Sequence, residues 1–225
     1  MIILTGASGG IGLDILEDLS KLDDVFAIYN SSKPNNIALE NVTFFKVDIQ
    51  SHLEIKNFIN NNISNMKNIT LVNMAAVSID GLMANYNIED WEKVLRINLS
   101  SNFLFSRYLI PIMIKDKWGR IIHVSSTNSA IGAGAYSSSK SGLEGLSRAL
   151  SKEYARYHIT SNIIKLGVFD TGMFHKLSLK NQKSFIESIP SKKLGDTSNI
   201  TNAINFLINS EFVNGSSITI DGGSS

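Results

Sequence analysis

The chain has 225 residues, enough for one folded unit or a tight pair and too few for a string of modules. Hydrophobic residues make up 43% and charged residues 18%, which excludes a disordered or fibrous chain, and a net charge of +1 gives no field that would steer it onto nucleic acid or anionic lipid. Cysteine is absent, which excludes disulfides, thiolate metal sites and a Cys nucleophile, and no pair of the four histidines (His52, His123, His158, His175) has metal-ligand spacing, so no metal is expected.

No apolar run approaches the ~20 residues of a membrane helix. The amino terminus enters apolar sequence at once and then turns glycine-rich, unlike a signal peptide, so a soluble cytoplasmic domain is expected.

In chain order, short β-branched or aromatic runs alternate with longer segments of helical period. Residues 2–4, 25–29, 42–47, 69–72, 120–125, 160–165 and 217–220 read as buried strands. Residues 11–22, 52–61, 90–115, 136–157 and 200–208 read as amphipathic helices. Such alternation predicts an α/β fold: a single Rossmann-type domain over residues 1–225, its doubly wound sheet of about seven parallel strands carrying helices on both faces. Residues 30–40 read as a surface loop and 174–193 as a mobile flap. The asparagine-rich stretch 57–68 reads as solvated surface.

The run Thr5-Gly6-Ala7-Ser8-Gly9-Gly10-Ile11-Gly12 sits directly between the first strand and the first helix. Glycines there let the backbone turn sharply and approach a pyrophosphate, whose charge is met by free amides and the helix dipole. The spacing lacks the lysine of a nucleoside-triphosphate loop, so a dinucleotide is the expected ligand. Its identity should be written at the end of the second strand, where a carboxylate would bind a ribose 2′-hydroxyl and repel a 2′-phosphate. The sequence there is Tyr29-Asn30-Ser31-Ser32-Lys33, with no acid before Glu40. NADP(H) is therefore favoured over NAD(H), with Asn30 and Ser31 as contacts.

Tyr136 and Lys140 lie four apart in Tyr-Ser-Ser-Ser-Lys at the head of a helical pattern, so both share one face. An ammonium group and an oxidised nicotinamide would bring a phenol toward working pH. By itself such a pair is commonplace. Upstream, however, a strand ends in His123-Val124-Ser125-Ser126, Asn98 interrupts an apolar helical stretch, and Asn73 follows a buried strand in Asn73-Met74-Ala75-Ala76.

The order and context of these elements resemble the short-chain dehydrogenases/reductases, most nearly the 3-oxoacyl-[acyl-carrier-protein] reductase branch. The resemblance runs nearly end to end. It includes Asp48-Ile49, Asp80-Gly81-Leu82-Met83, Asn98-Leu99-Ser100-Ser101, Gly119-Arg120-Ile121-Ile122, Leu194-Gly195-Asp196 and Ile220-Asp221-Gly222-Gly223. It implies that Tyr136 protonates the carbonyl oxygen while Lys140 holds the nicotinamide ribose and lowers the phenol pKa. It implies further that Ser126 binds the carbonyl and Asn98 holds a water in a proton relay. The implied cofactor contacts are Thr5, Gly6, Ser8, Gly10, Ile11 and Gly12 in the loop, Asp48 and Ile49 beside the adenine, and Asn73 and Ala75 on the ribose side. At the nicotinamide the resemblance adds Val168 and Thr171 to Tyr136 and Lys140.

Four departures stand out. The usual Asn-Asn-Ala-Gly is Asn73-Met74-Ala75-Ala76, which removes hydrogen bonds that brace the sheet. The usual Pro-Gly is Leu166-Gly167, which loosens the base of the flap. The interval from Ser126 to Tyr136 is short, leaving Ser125, Thr127 and Ser129 as alternative hydroxyls. The chain also opens inside its first strand. His123, Trp91, Trp118, Tyr154 and Tyr157 read as packing residues, and Phe174 and His175 as possible substrate contacts.

The function expected is reduction of a carbonyl with NAD(P)H, most simply a 3-oxoacyl thioester in fatty acid biosynthesis. Reduction of a sugar, or of a glycan or secondary-metabolite precursor, is the alternative within the same chemistry. A non-catalytic dinucleotide sensor or scaffold is the alternative of another class, and a methyltransferase would leave the Tyr/Lys pair unexplained. An acyl carrier protein, being acidic, would want a basic patch at the site mouth, for which Lys117, Arg120, Arg148, Lys152 and Arg156 are the candidates. Apolar residues on more than one face of the two long helices (Leu95, Leu99, Phe103 and Phe105; Leu143, Leu146, Leu150 and Tyr154) predict a homodimer or a 222-symmetric homotetramer.

Overall fold

The computed structural model describes residues 1–34, 37–127, 130–171, 174–176 and 178–225, with the backbone alone at residue 176. Its strands are β1 (Ile2–Thr5), β2 (Val25–Tyr29), β3 (Val42–Lys46), β4 (Thr70–Asn73), β5 (Gly119–Ser126), β6 (Ile159–Leu166) and β7 (Ser217–Ile220). Each matches a sequence expectation to within about a residue, but β3 and β7, expected as buried strands, are the two edges of the sheet and bury none of their residues. All pair in parallel, in the order β3-β2-β1-β4-β5-β6-β7. The order reverses between β1 and β4, and a crevice opens beyond their carboxyl ends, where doubly wound sheets hold ligands.

The helices are α1 (Gly10–Asp14), α2 (Leu16–Leu22), α3 (His52–Asn62), α4 (Ile88–Leu95), α5 (Ser101–Asp116), α6 (Gly134–Tyr154), α7 (Leu179–Ser188) and α8 (Ser198–Asn209). On one face of the sheet, Ile55, Phe58, Phe105, Leu109, Met113 and Leu150 form one core with Ile3, Leu71 and Ile121. On the other, Leu16, Leu19, Ile200, Ile204 and Leu207 pack on Leu4, Val72 and Ile164.

Three helical expectations are revised. The helix expected over residues 11–22 is two, broken at Ile15, although the hydrogen-bond ladder passes through it (Ile15 N–H to Ile11 O, 3.1 Å; Leu19 N–H to Ile15 O, 2.9 Å). The helix expected over 90–115 starts earlier, where the Asn87 carboxamide accepts from the Glu89 and Asp90 amides, and is interrupted by a π-helical turn, Arg96–Ser100. Part of the expected flap is the regular helix α7, none of whose residues is buried.

The basic patch is revised as well. Arg120 is 3% exposed, and its guanidinium donates to the carbonyls of Gly119, His158 and Ile208 while stacking on Trp118. Lys117 precedes β5, and Arg148, Lys152 and Arg156 lie on the later turns of α6 and just beyond it, toward the amino ends of the strands and away from the crevice. Of the residues expected to form a second apolar helix face, Phe105, Leu143 and Leu150 are buried in the chain's own core, whereas Phe103 is exposed.

Candidate active site

The glycine loop lies where β1 meets α1. Gly6 has φ +74°, and a Cβ there would stand 2.8 Å from the Ala75 backbone, so only glycine lets the loop press against the segment after β4. A Cβ at Gly12 would collide with the Gly6 carbonyl oxygen. Gly9 precedes the helix without a side-chain cap, which leaves the first-turn amides of Gly10, Ile11 and Gly12 facing outward, as a pyrophosphate requires. Thr5 Oγ1 accepts from the amides of Met74 (3.0 Å) and Ala75 (3.1 Å), tying the loop to β4. The local structure therefore fits a dinucleotide.

Around this cradle, Asn30, Ser31, Ser32 and Lys33 are exposed beyond β2, with the Lys33 ammonium 5.9 Å from the centre of the Phe44 ring. Asp48 is half-buried and accepts from the Gln50 amide (3.0 Å), and Ile49 is buried beside it. Asn73 closes β4, fully buried. Beyond β6, a Cβ at Gly167 would stand 2.7 Å from Asp221 Cα, and the Gly167 amide donates to Ile220 O (2.9 Å). The missing proline is thus offset by close backbone packing, which holds Val168 and the buried Thr171 at the end of the sheet.

Tyr136 and Lys140 stand on the first turns of α6. The Lys140 ammonium is buried, donates to Val124 O (2.7 Å), and lies 5.7 Å from the centre of the Tyr136 ring. Burial pulls its pKa down from 10.5 to about 8. Burial also pushes the Tyr136 phenol up, a shift that a hydrogen bond with the Ser126 side chain partly opposes. Before cofactor binds, then, the phenol is protonated at neutral pH. Among the other hydroxyls, Ser125 donates to Lys140 O (3.2 Å) and Thr127 faces Leu166 O (3.4 Å), so Ser126 is the one that meets Tyr136. Ser129 lies outside the described residues.

Asn98 occupies the π-helical turn, and a π-turn inside an α-helix often marks a functional site. Its amide donates to Val77 O (2.9 Å) and to Ser139 Oγ (3.0 Å), and its oxygen accepts from the Val77 amide (2.9 Å). With both amide hydrogens engaged, Asn98 clamps the segment after β4, and a water could be held only as a donor to Oδ1. Ser139 in turn donates to Tyr136 O (2.6 Å). Ser139 was not singled out in the sequence, since three identical serines separate Tyr136 from Lys140. Asn102 was also missed, although it stands four residues after Asn98 on the same apolar helix, the very signal that marked Asn98.

Phe174 is buried and His175 is exposed, bonded to Asp170 (2.6 Å). Several exposed apolar side chains lie on the segments that follow the carboxyl ends of β4, β5 and β6. A bridge between Gly81 and Ala133, with the Gly81 amide donating to Gly132 O (2.9 Å), carries Leu82 and Met83 to the amino end of α6. Ile131, 93% exposed, lies between β5 and α6, and Leu179 and Phe185 are exposed on α7. Beside Lys140, a hydroxyl-rich cavity of about 280 Å³ is lined by Ser126, Thr127, Ser137, Ser141 and Thr219 together with Lys165 and Ser225. Among the described residues no three His, Asp or Glu side chains gather as metal ligands, and no helix is long and apolar enough to cross a membrane.

A family model described as short chain dehydrogenase matches residues 1–182. The chain belongs to the short-chain dehydrogenase family. Curated relatives in this family include a 3-oxoacyl-[acyl-carrier-protein] reductase FabG from Buchnera aphidicola, 34% identical over 98% of this chain and 95% of its own length. A protein of the same name from Rickettsia felis is 33% identical with the same coverage. Nodulation protein G of a Rhizobium strain is 29% identical, again over 98% of this chain. In structure, the chain is similar to a crystal structure of a protein assigned as a gluconate dehydrogenase from Agrobacterium tumefaciens (TM-score 0.90, 25% identity, 100% of this chain and 95% of that one). As a short-chain dehydrogenase the chain is an oxidoreductase that interconverts CH–OH and C=O with a nicotinamide dinucleotide.

Proposed function

We propose that residues 1–225 form one catalytic unit that reduces the 3-oxo group of an acyl thioester, with NADPH preferred over NADH. The observation that carries the chemistry is the Ser126–Tyr136 hydrogen bond beside the buried Lys140. A protonated phenol is the form a reductase needs, because Tyr136 must deliver a proton to the carbonyl oxygen. Ser126 holds that oxygen beside Tyr136. Lys140, held by Val124 O, would give its remaining ammonium hydrogens to the ribose hydroxyls and sets the charge next to the phenol. Asn98 braces the segment after β4 and positions a relay water at Oδ1. The bound nicotinamide supplies the hydride; the protein supplies orientation and the proton.

The glycine-loop amides, with Thr5, Gly6 and Ser8, would hold the pyrophosphate. Asp48 and Ile49 would border the adenine, Asn73 and Ala75 the ribose, and Val168 and Thr171 the nicotinamide. The exposed Asn30, Ser31 and Lys33, with no acid between them and Glu40 in the sequence, suit a 2′-phosphate.

The apolar rim of Leu82, Met83, Ile131, Leu179 and Phe185 favours an acyl chain. The names of the relatives point the same way. An acidic carrier delivering the thioester would meet exposed Lys180, Lys183, Lys192 and Lys193 on and after α7. The exposed Phe103 on α5 and Phe206 on α8 support assembly into a dimer or tetramer. A second reading, oxidation or reduction of a sugar acid, draws on the hydroxyl-lined cavity beside Lys140 and on the structural relative assigned to gluconate.

The test is oxidation of NADPH and NADH by the purified protein with a four-carbon 3-oxoacyl thioester and, separately, with keto-gluconate. Thioester turnover that is faster with NADPH is expected. Turnover of the sugar acid alone would establish the second reading.

A further inference from the structure

His123 has no part in the chemistry above, yet it is fully buried next to the site in an unusual polar group. Parallel pairing of β4 and β5 sets it beside Asn73, and the first turn of α5 brings Asn102 against it. His123 Nδ1 lies 3.0 Å from Asn102 Oδ1 and 3.2 Å from Asn73 Nδ2. The Asn102 amide nitrogen is committed to Asn98 O (3.1 Å), so its oxygen must face the imidazole. Only an imidazole with its proton on Nδ1 turns that approach into a bond. A half-turn of the Asn73 amide would let its otherwise unpartnered Oδ1 share the same hydrogen. Burial and the nearby Lys140 charge hold the His123 pKa down at about 3, so the ring is neutral throughout the working range.

Asn98 O belongs to the π-helical turn Arg96–Ser100, where the Ser101 amide donates to Arg96 O five residues back. Side chains bond back onto two of its carbonyls: Ser101 Oγ donates to Ile97 O (2.6 Å) and Asn102 Nδ2 to Asn98 O. From Asn98 the bonds continue through Ser139 Oγ to Tyr136 O. A buried imidazole and two buried carboxamides among apolar neighbours are tolerable only when bonded to one another. Packing alone would be served as well by an aromatic or aliphatic residue.

We propose that His123 is a positioning residue: through Asn102 it fixes the π-turn that carries Asn98, and through Asn98 and Ser139 the first turn of α6 that carries Tyr136 and Lys140. This bracing replaces what Met74 removes after β4. The proposal rests on the reading of Tyr136 and Lys140 as the reacting pair.

The test compares His123→Phe, His123→Asn, Asn102→Leu and the double variant His123→Phe/Asn102→Leu with the parent, in steady-state reduction of a 3-oxoacyl thioester across pH. Cofactor-binding stoichiometry corrects each rate for the folded fraction. His123→Phe and Asn102→Leu should each lower kcat about tenfold, the effect of one lost buried hydrogen bond on the transition state, with KM changed less than about twofold. Both should displace the high-pH limb of the kcat profile. Asn places its Nδ2–H where the imidazole carries Nδ1–H, so His123→Asn should recover most of the loss. The double variant should be no worse than either single.

A parent-like kcat and pH profile in His123→Phe, no rescue by Asn, or losses that multiply would overturn the proposal. Should His123→Phe fail to fold, Asn102→Leu and His123→Asn give the same decision through their opposite expected outcomes. If Tyr136→Phe were active, the reading of the pair would fail. If Tyr136→Phe were inactive and His123→Phe parent-like, only the bracing role would fail.

Discussion

Helices α6 and α7 are built in opposite ways. α6 buries Ala135, Ser139, Lys140, Leu143, Ser147, Leu150 and Ser151, and Tyr136, Ser139 and Lys140 are each held by another part of the chain: Ser126, Asn98 and Val124 O. Burying Leu143 and Leu150 alone is worth about 1.5–3 kcal/mol each. α7 buries none of its residues, exposes Leu179 and Phe185, and is held mainly by its ends: Ser178 caps its start, and the Lys192 ammonium meets Glu187 O at its finish. An isolated helix of ten residues is marginal in water, so α7 has little of its own to resist displacement. The contrast teaches that the groups assigned to chemistry are set before substrate arrives, while the surface assigned to recognition is soft. Changes on the α6 side should act on kcat, and changes on α7 on KM and chain-length preference.

The largest separation should come from Lys140→Met. We expect kcat to fall at least ~100-fold, the usual scale for losing acid–base support. The same variant should be more stable than the parent at pH 7 without cofactor. The buried ammonium, with a pKa lowered to about 8, binds its proton less readily than in the unfolded chain. Its burden on folding is full below pH 8 and disappears as pH rises to 10.5, so parent stability climbs across that interval. Urea unfolding at pH 7 should show a gain on the order of 1–3 kcal/mol that shrinks by pH 10. A variant less stable than the parent at pH 7 would show that Lys140 holds the fold as well as the site.

A smaller effect should follow from Leu179→Ala combined with Phe185→Ala. KM for an eight-carbon 3-oxoacyl thioester should rise about 3- to 10-fold, the value of a few methylene contacts, while kcat and the KM of a four-carbon substrate stay within about twofold. Equal losses on both chain lengths, or a falling kcat, would mean that α7 shapes the reacting geometry and would erase the contrast.

Much of this arrangement is legible in the chain and some of it is not, for physical reasons. Strand β2 is legible because its apolar residues are buried nearly in one stretch, β7 because Ile218 and Ile220 alternate with polar residues at an edge, and Tyr136, Lys140 and the glycine loop because their spacing has meaning on a helix and a turn. The π-turn at Asn98 is not, since no residue type encodes it; it shows only in the fold, where Ser101 and Asn102 bond back onto its carbonyls. Arg120 reads as surface because arginine usually is, and only the fold reveals the three carbonyls that accept it inside. α7 is missed because its apolar residues are too few to mark a buried stripe, and in the structure they are not buried. Which serine meets Tyr136 also waits for the fold, because Ser125 and Ser126 alternate faces on β5 and differ only in where each points.

The most direct test of the central claim, that a preset Ser126–Tyr136–Lys140 group delivers the proton, is Tyr136→Phe assayed for thioester reduction alongside equilibrium binding of NADPH. Loss of turnover by at least ~1,000-fold with cofactor affinity within about twofold of the parent is the result this account predicts. Turnover above a tenth of the parent rate would contradict it and would move the proton donor elsewhere.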